Sequence, residues 1–347
     1  MWFLIGTPSA CTERRTFPCL ILIRLSRSRS FPGPGRGMRR LQKRVVSLLF
    51  LATLAVPLSG CLFRTRKLET RLSNAPLRNA TQPELIEYIN SQATRIQSLQ
   101  ATVDIDASVG DPKSGSITDY KEIRGFILAR KPAMLRMIGQ LPVVRNTAFD
   151  MVSNGQEFKV SIPPKNKFVI GTNSNENYQP QQRLENLRPQ HIYDAILLRE
   201  IGSDEIAVLE NGFETVLDEK KRRVEQPDYQ IAVIRRGPSG WFLERKIEFS
   251  RTDLLPHRQQ IYDQQGNVVT DAHYQNFTDY GGIQFPAKIE IERPRENYDI
   301  LLNILKLDVN RALTDEQFVL EKPPGAEVVH LDQAGANSAK SSDNRGK

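Results

Sequence analysis

Three cysteines, two tryptophans and four histidines are all that the 347 residues contain of those types. Cys11 and Cys19 precede a segment with the marks of a secretory signal, which leaves Cys61 as the one cysteine of the exported chain. A single thiol excludes an internal disulfide. His191, His257, His273 and His330 are scattered without metal-ligand spacing, so neither metal nor cofactor is expected. There is no G-x-S-x-G elbow, since Gly237-Pro238-Ser239-Gly240 reads as a turn. There is no Walker loop, and Gly33-Pro34-Gly35-Arg36-Gly37 lacks the strand-to-helix setting of a dinucleotide site. These absences point away from an enzyme.

Charge of one sign is missing as well, once the N-terminal part is set aside. The formal net charge is +8. Residues 1–60 hold ten basic residues and one acid, Glu13; removing them from the 48 basic and 40 acidic residues leaves 38 and 39, a net of −1. The remaining chain has no global attraction for phosphate, so no nucleic-acid partner is expected.

What is present begins at Met38. Arg39, Arg40, Lys43 and Arg44 form a positive n-region, and the apolar stretch Val45–Val56 follows it. That run suits a signal-peptide core and is shorter than the ~20 residues of a membrane-spanning helix. Leu58-Ser59-Gly60-Cys61 reads as a lipobox: small residues admit the peptidase, and the Cys61 thiol accepts a diacylglyceryl group. A plain signal peptide with an incidental cysteine is the alternative. Leu62 follows the cysteine, and without Asp there the outer membrane is favoured, with the domain facing the periplasm. Residues 1–37 read as an upstream extension from a misplaced start, or else an odd leader. The expected organisation is 1–37 extension, 38–60 signal peptide, 61–80 lipidated cysteine and tether, 81–330 folded domain and 331–347 polar tail. Basic residues in the tether either rest on anionic headgroups or keep it solvated.

Thr81, Pro83 and Glu84 mark a helix start, and Leu85, Ile89, Ala93 and Ile96 give it one apolar face. From Leu99 to Val109 the period becomes two. Strand candidates follow at 120–130, 133–139, 147–153, 157–162, 167–170, 205–209, 229–235, 241–249, 257–263, 268–277, 283–293 and 299–309. Turns are expected at Asn154-Gly155, Asn211-Gly212, Gly266-Asn267 and Gly281-Gly282. A second helix is predicted at about Pro189–Arg199, and a last strand just ahead of Pro323-Pro324-Gly325. Consecutive antiparallel strands with few helices predict an α+β fold: one curled antiparallel sheet, an open, incomplete β-barrel with helices covering its concave side.

This order resembles the LolA/LolB-like lipoprotein carrier and receptor family over roughly residues 81–330. The resemblance rests on the helix running into Leu99–Val109, the block Phe149–Phe158, Pro163-Pro164-Lys165-Asn166-Lys167-Phe168, a helix after Arg188-Pro189, and the closing pattern Asn310, Leu313, Phe318, Pro323-Pro324-Gly325-Ala326. The long tether and the wide spacing around 171–188 depart from it. The resemblance implies an apolar cavity for acyl chains of lipoproteins or other lipids. It also implies a periplasmic carrier as partner, and a lipid-anchored receptor branch given Cys61. It further implies a loop with an exposed leucine that helps deliver cargo to the membrane. By position that loop is Gly139–Asn146, with Leu141, Val143 and Val144; the alternative is that these side chains fold under the sheet as a minor core. Candidates for the cavity are Val103, Ile105, Phe126, Leu128, Met137, Phe158, Val160, Phe168, Ile247, Phe249, Ile289, Ile291, Leu302 and Ile304, each equally readable as plain core. A monomer held to the membrane by its N-terminal lipid is expected. A same-fold ligand sensor and a structural envelope component remain as rivals.

Overall fold

In a computed structural model, the structure describes residues 71–111, 115–173, 188–218 and 220–331. The expected signal peptide, Cys61 and residues 332–347 lie outside them. The described chain runs α1 (Gln82–Arg95), β1 (Ser98–Asp111), β2 (Ser116–Arg130), β3 (Met134–Gln140), β4 (Thr147–Ser153), β5 (Glu157–Ile162) and β6 (Lys167–Thr172). It continues with α2 (Pro189–Ile196), β7 (Ile206–Leu217), β8 (Arg223–Gly237), β9 (Gly240–Ser250), β10 (Pro256–Tyr262) and β11 (Val268–Asp279). β12 (Gln284–Arg293), β13 (Tyr298–Val309) and β14 (Glu327–His330) complete it.

All fourteen strands join one sheet in the order β14-β6-β5-β4-β3-β2-β1-β13-β12-β11-β10-β9-β8-β7. Two meanders, β1–β6 and β7–β13, are joined by the antiparallel β1–β13 pair. The sheet is open, with β14 and β7 as its edges. α2 touches β3 and β4 as well as β11 and β12. Five strand spacings separate β3 from β11, ~24 Å along a flat sheet. One helix ~10–12 Å across reaches both only because the sheet curls around it.

α1 starts where Thr81 and Glu84 predict: the Glu84 carboxylate accepts from the Thr81 N–H at 2.7 Å, closing the capping box. Leu85 and Ile89 pack on Tyr229, Ile231, Val233, Ile247 and Phe249 of β8 and β9. α2 begins at Pro189, where a missing N–H costs nothing. Carbonyls at its C-terminal end and in the segment after it are satisfied from the sheet. Gln259 Nε2 donates to Asp194 O, Tyr274 Oη to Ala195 O, and Arg245 to the carbonyls of Arg199 and Glu200. These bonds fix α2 against the β10–β11 side. On the outer face, the segment after β13 lays Phe318 under the Arg130 guanidinium and Leu320 and Ala326 on Val152 and Phe168.

Residues 71–80 of the expected tether are hydrogen-bonded to the sheet. Ser73 N donates to Glu225 O, and Arg78 N to Arg251 O. Among the described residues, the fourteen strands, the two α-helices and the three apolar clusters lie within 71–331.

Three sequence expectations are corrected. Asn211-Gly212 is not a turn; it lies within β7, opposite Tyr229 and Asp228. Gly212 is in close approach: an added Cβ would fall 2.5 Å from both Asp228 Oδ1 and Gln230 Nε2, which would have to shift. The turn comes later, where Asp218 Oδ1 accepts from the backbone of Lys220 and Arg222. The last strand follows Pro323-Pro324-Gly325 instead of preceding it, and pairs parallel to β6. Third, the phase of β2 changes along its length. Ala107 faces Tyr120 but Ile105 faces Ile123, so β2 carries an extra residue at a bulge where Glu122 adopts φ 60°. Alternation continued from Tyr120 would point Phe126 and Leu128 inward. Beyond the bulge the inward positions are Ile123, Gly125, Ile127 and Ala129, and Phe126 is 38% exposed.

Candidate functional site: an apolar cavity at the hairpin end

The antiparallel register places the β3–β4, β5–β6, β8–β9, β10–β11 and β12–β13 connections at one end of the sheet. α2 does not fill this end on the β1–β5 side. A cavity of about 210 Å³ opens there. β1 contributes Ile105, Ala107 and Val109, β2 Tyr120 and Ile123, β4 Ala148, Phe149 and Met151, and β5 Val160 and Ile162. β13 adds Tyr298 and Ile300, and the rim carries Leu141, Pro164 and Lys165. The wall is apolar apart from the two tyrosines, Lys165 and Asp299 of β13. Burial pushes the Tyr298 hydroxyl up to about 12, so it stays protonated at neutral pH.

The rim loop is shaped by its own backbone. Leu141 N donates to Asn146 O at 2.8 Å, and Arg145 N to Leu141 O at 3.1 Å. At the tip, Val144 N donates to Pro142 O at 2.8 Å, a three-residue turn centred on Val143 at φ 67°. A β-branched residue is strained there. Val143 is 97% exposed and Val144 63%, while Leu141 is half-buried in the cavity rim. Leu141, expected from sequence as the exposed leucine, is thus half-buried in the rim, and the exposed apolar side chains of the loop are Val143 and Val144.

The fourteen cavity candidates divide by location. Ile105 and Val160 line the cavity. Val103, Ile289, Leu302 and Ile304 surround a separate void of about 10 Å³ deeper inside. Met137, Phe158 and Ile291 are packed core of the same inner face. Ile247 and Phe249 are covered by α1. Phe168 is buried on the outer face, and Phe126 and Leu128 point to that face too. Ala107, Val109, Tyr120, Ile123, Met151, Ile162, Tyr298 and Ile300 line the cavity but were not singled out. Their shared signal is nearness to strand ends on the Leu141 side, which period two alone does not carry.

Two polar layers hold α2. On one side burial pushes the Asp194 carboxyl up to about 6, against the lowering effect of the Gln190 amide, which donates at 2.8 Å. Nearby, the Arg245 guanidinium is pushed down to about 10 by burial. On the other side burial drives His191 well down, with Arg293 and Arg188 adding to the shift. Arg245 donates to the carbonyls of Arg199 and Glu200, and Arg293 to Thr270 Oγ1 and Glu296 Oε1, while the Nε atoms of both arginines are buried without a hydrogen-bond partner among the described residues. Among the described residues no three His, Cys, Asp or Glu side chains are placed to hold a metal ion.

No family model matches the sequence, and no curated protein does. Among solved structures, a LolA superfamily protein from Nitrosomonas europaea is similar at a TM-score of 0.42 and 14% identity, covering 70% of this chain and 99% of that one. A DUF1329 family protein from Desulfovibrio piger has the same score and identity, covering 68% and 95%. A Vibrio parahaemolyticus domain assigned to outer membrane lipoprotein sorting scores 0.39 at 11% identity, covering 68% and 94%.

Proposed function

We propose that this protein is a lipid-anchored envelope protein that takes acyl chains of lipoproteins or other lipids into the cavity and helps pass them to the outer membrane. One observation carries the reading: an apolar cavity whose rim residue, Leu141, belongs to the loop that displays Val143 and Val144. The cavity of about 210 Å³ takes a run of several methylenes, each worth ~0.8 kcal/mol on burial before the costs of association. That affinity suits transient holding, because a bilayer can take the chain back. When the valines enter a membrane interface, Leu141 is in position to transmit that contact to the cavity wall. No catalytic step is involved.

The test is native mass spectrometry of the chain from Leu62 to Lys347, purified from its host with minimal detergent. A co-purifying acylated molecule, lost when Ala107→Trp fills the cavity, is the expected result. A lipid-free protein that also fails to extract acylated cargo from a donor would sink the proposal.

A further inference from the structure

The cavity ends at a definite floor. Going down β1, Ile105 lines the cavity and Val103 lines the deeper void; across on β13, Ile300 lines the first and Leu302 the second. Between them on β2 sits Gly125, opposite Val103 in register. A Cβ at Gly125 would lie 2.4 Å from Ile105 Cδ1 and 2.9 Å from Val103 Cγ2. Those two side chains therefore occupy the space a side chain at 125 would take. They close the passage between the cavity of about 210 Å³ and the void of about 10 Å³. At the floor Val103 and Leu302 are both at 0% exposure.

We infer that Ile105 and Val103, seated over Gly125, act as a ruler that limits how much of an acyl chain the site buries. The inference rests on the cavity being a lipid site, as proposed above. Once the methyl end meets Ile105 and Val103, added chain gains nothing from the protein, because the remaining carbons stay outside the mouth beside Leu141 and Lys165. The ligand class is a straight acyl chain inserted partway, methyl end first.

The experiment is a chain-length series. Saturated fatty acids of six to sixteen carbons, each below its micelle concentration, displace an apolar fluorescent dye from the chain Leu62–Lys347. Affinity should rise roughly fourfold per methylene until the chain end meets Ile105 and Val103, and then level off within the series. Ala107→Leu, which fills the cavity without opening a hole, should move the break about three carbons shorter. Ile105→Ala should move it about three carbons longer by joining cavity and void. A rise that continues through sixteen carbons overturns the ruler, as does a break that stays put in Ala107→Leu. If no acid of any length displaces the dye, the lipid reading of the site fails first and the ruler falls with it.

Discussion

β8 and β9 present alternating apolar residues to the inside of the sheet, and so do β1, β2 and β5. Under β8 and β9 the space is taken: Leu85 and Ile89 of α1 meet Ile231, Val233, Ile247 and Phe249, and Tyr88 sits edge-on to Phe249 at 6.0 Å. Between the hairpin ends of β1, β2, β4, β5 and β13 the same kind of surface encloses about 210 Å³ of open space. Composition does not separate the two regions. Helix placement does: α1 lands on one, and α2 is tied by Gln259, Tyr274 and Arg245 so that it stops short of the other. This cavity lies where the helices leave the inner face uncovered.

The filled region should respond to truncation as a packed core does. Phe249→Ala is expected to cost ~3–5 kcal/mol, since Phe249 is fully buried under α1. In a domain of this size that lowers Tm by about 10 °C. A loss below ~1 kcal/mol in thermal or urea unfolding would mean that α1 does not cover this region tightly, and the comparison would collapse.

The next effect concerns how α2 is held. Asp194 has a folded pKa of about 6, raised by burial from its ordinary 3.8. Between those values the folded protein binds more protons than the unfolded one, so stability falls as pH rises from about 4 to 6 and is flat above. At pH 7.5 the buried charge costs ~2–3 kcal/mol, from two pKa units at ~1.4 kcal/mol each. Asp194→Asn keeps an acceptor for Gln190 and should be more stable than the parent by that amount at pH 7.5, with the two converging near pH 4. Asp228 and Glu248 are also raised by burial and keep a residual slope in the variant. Asp271, held low beside Arg258, acts in the opposite sense and only below the usual carboxylate range. A parent and variant that run parallel across pH would remove Asp194 as the strained element.

Much of the fold was legible in residue order. The capping box placed α1, Pro189 placed α2, and 147–153 and 157–162 matched β4 and β5 end to end. What escaped were features set by residues distant in sequence. Gly212 reads as half of a turn until Asp228 and Gln230 are seen occupying its missing side chain. Phe126 and Leu128 read as inward until the extra residue near Glu122 reverses the phase. Alternation also placed Phe249 and Ile105 in one class, although one is covered by a helix and the other faces open space. A strand's period states a face; it is silent on what meets that face.

A pair of matched enlargements sharpens the contrast at smaller amplitude. Ala129 on β2 is fully buried within packed core, and Ala129→Leu should cost ~1–3 kcal/mol by overpacking. Ala107→Leu adds the same atoms beside the cavity, where they find room, and should change stability by less than ~1 kcal/mol in either direction. Equal losses at the two sites, measured by urea unfolding, would show that the open space collapses in solution.

The smallest stability effect is expected where the rim loop meets solvent, and there its sign is informative. Val143 has almost no burial to lose, so Val143→Glu should leave unfolding unchanged. Val143→Gly removes a β-branched residue from φ 67° and should stabilise the protein by ~1 kcal/mol, because glycine adopts that backbone freely. If the loop delivers acyl chains to a bilayer, both variants should nevertheless bind vesicles less well, Glu more severely than Gly, while fatty-acid binding in the cavity persists. A glycine variant that is more stable and binds vesicles as well as the parent would leave the strained valine without a membrane role. A glycine variant that gains stability and loses vesicle binding shows a side chain kept at a cost to the fold, and membrane contact by this loop accounts for that cost.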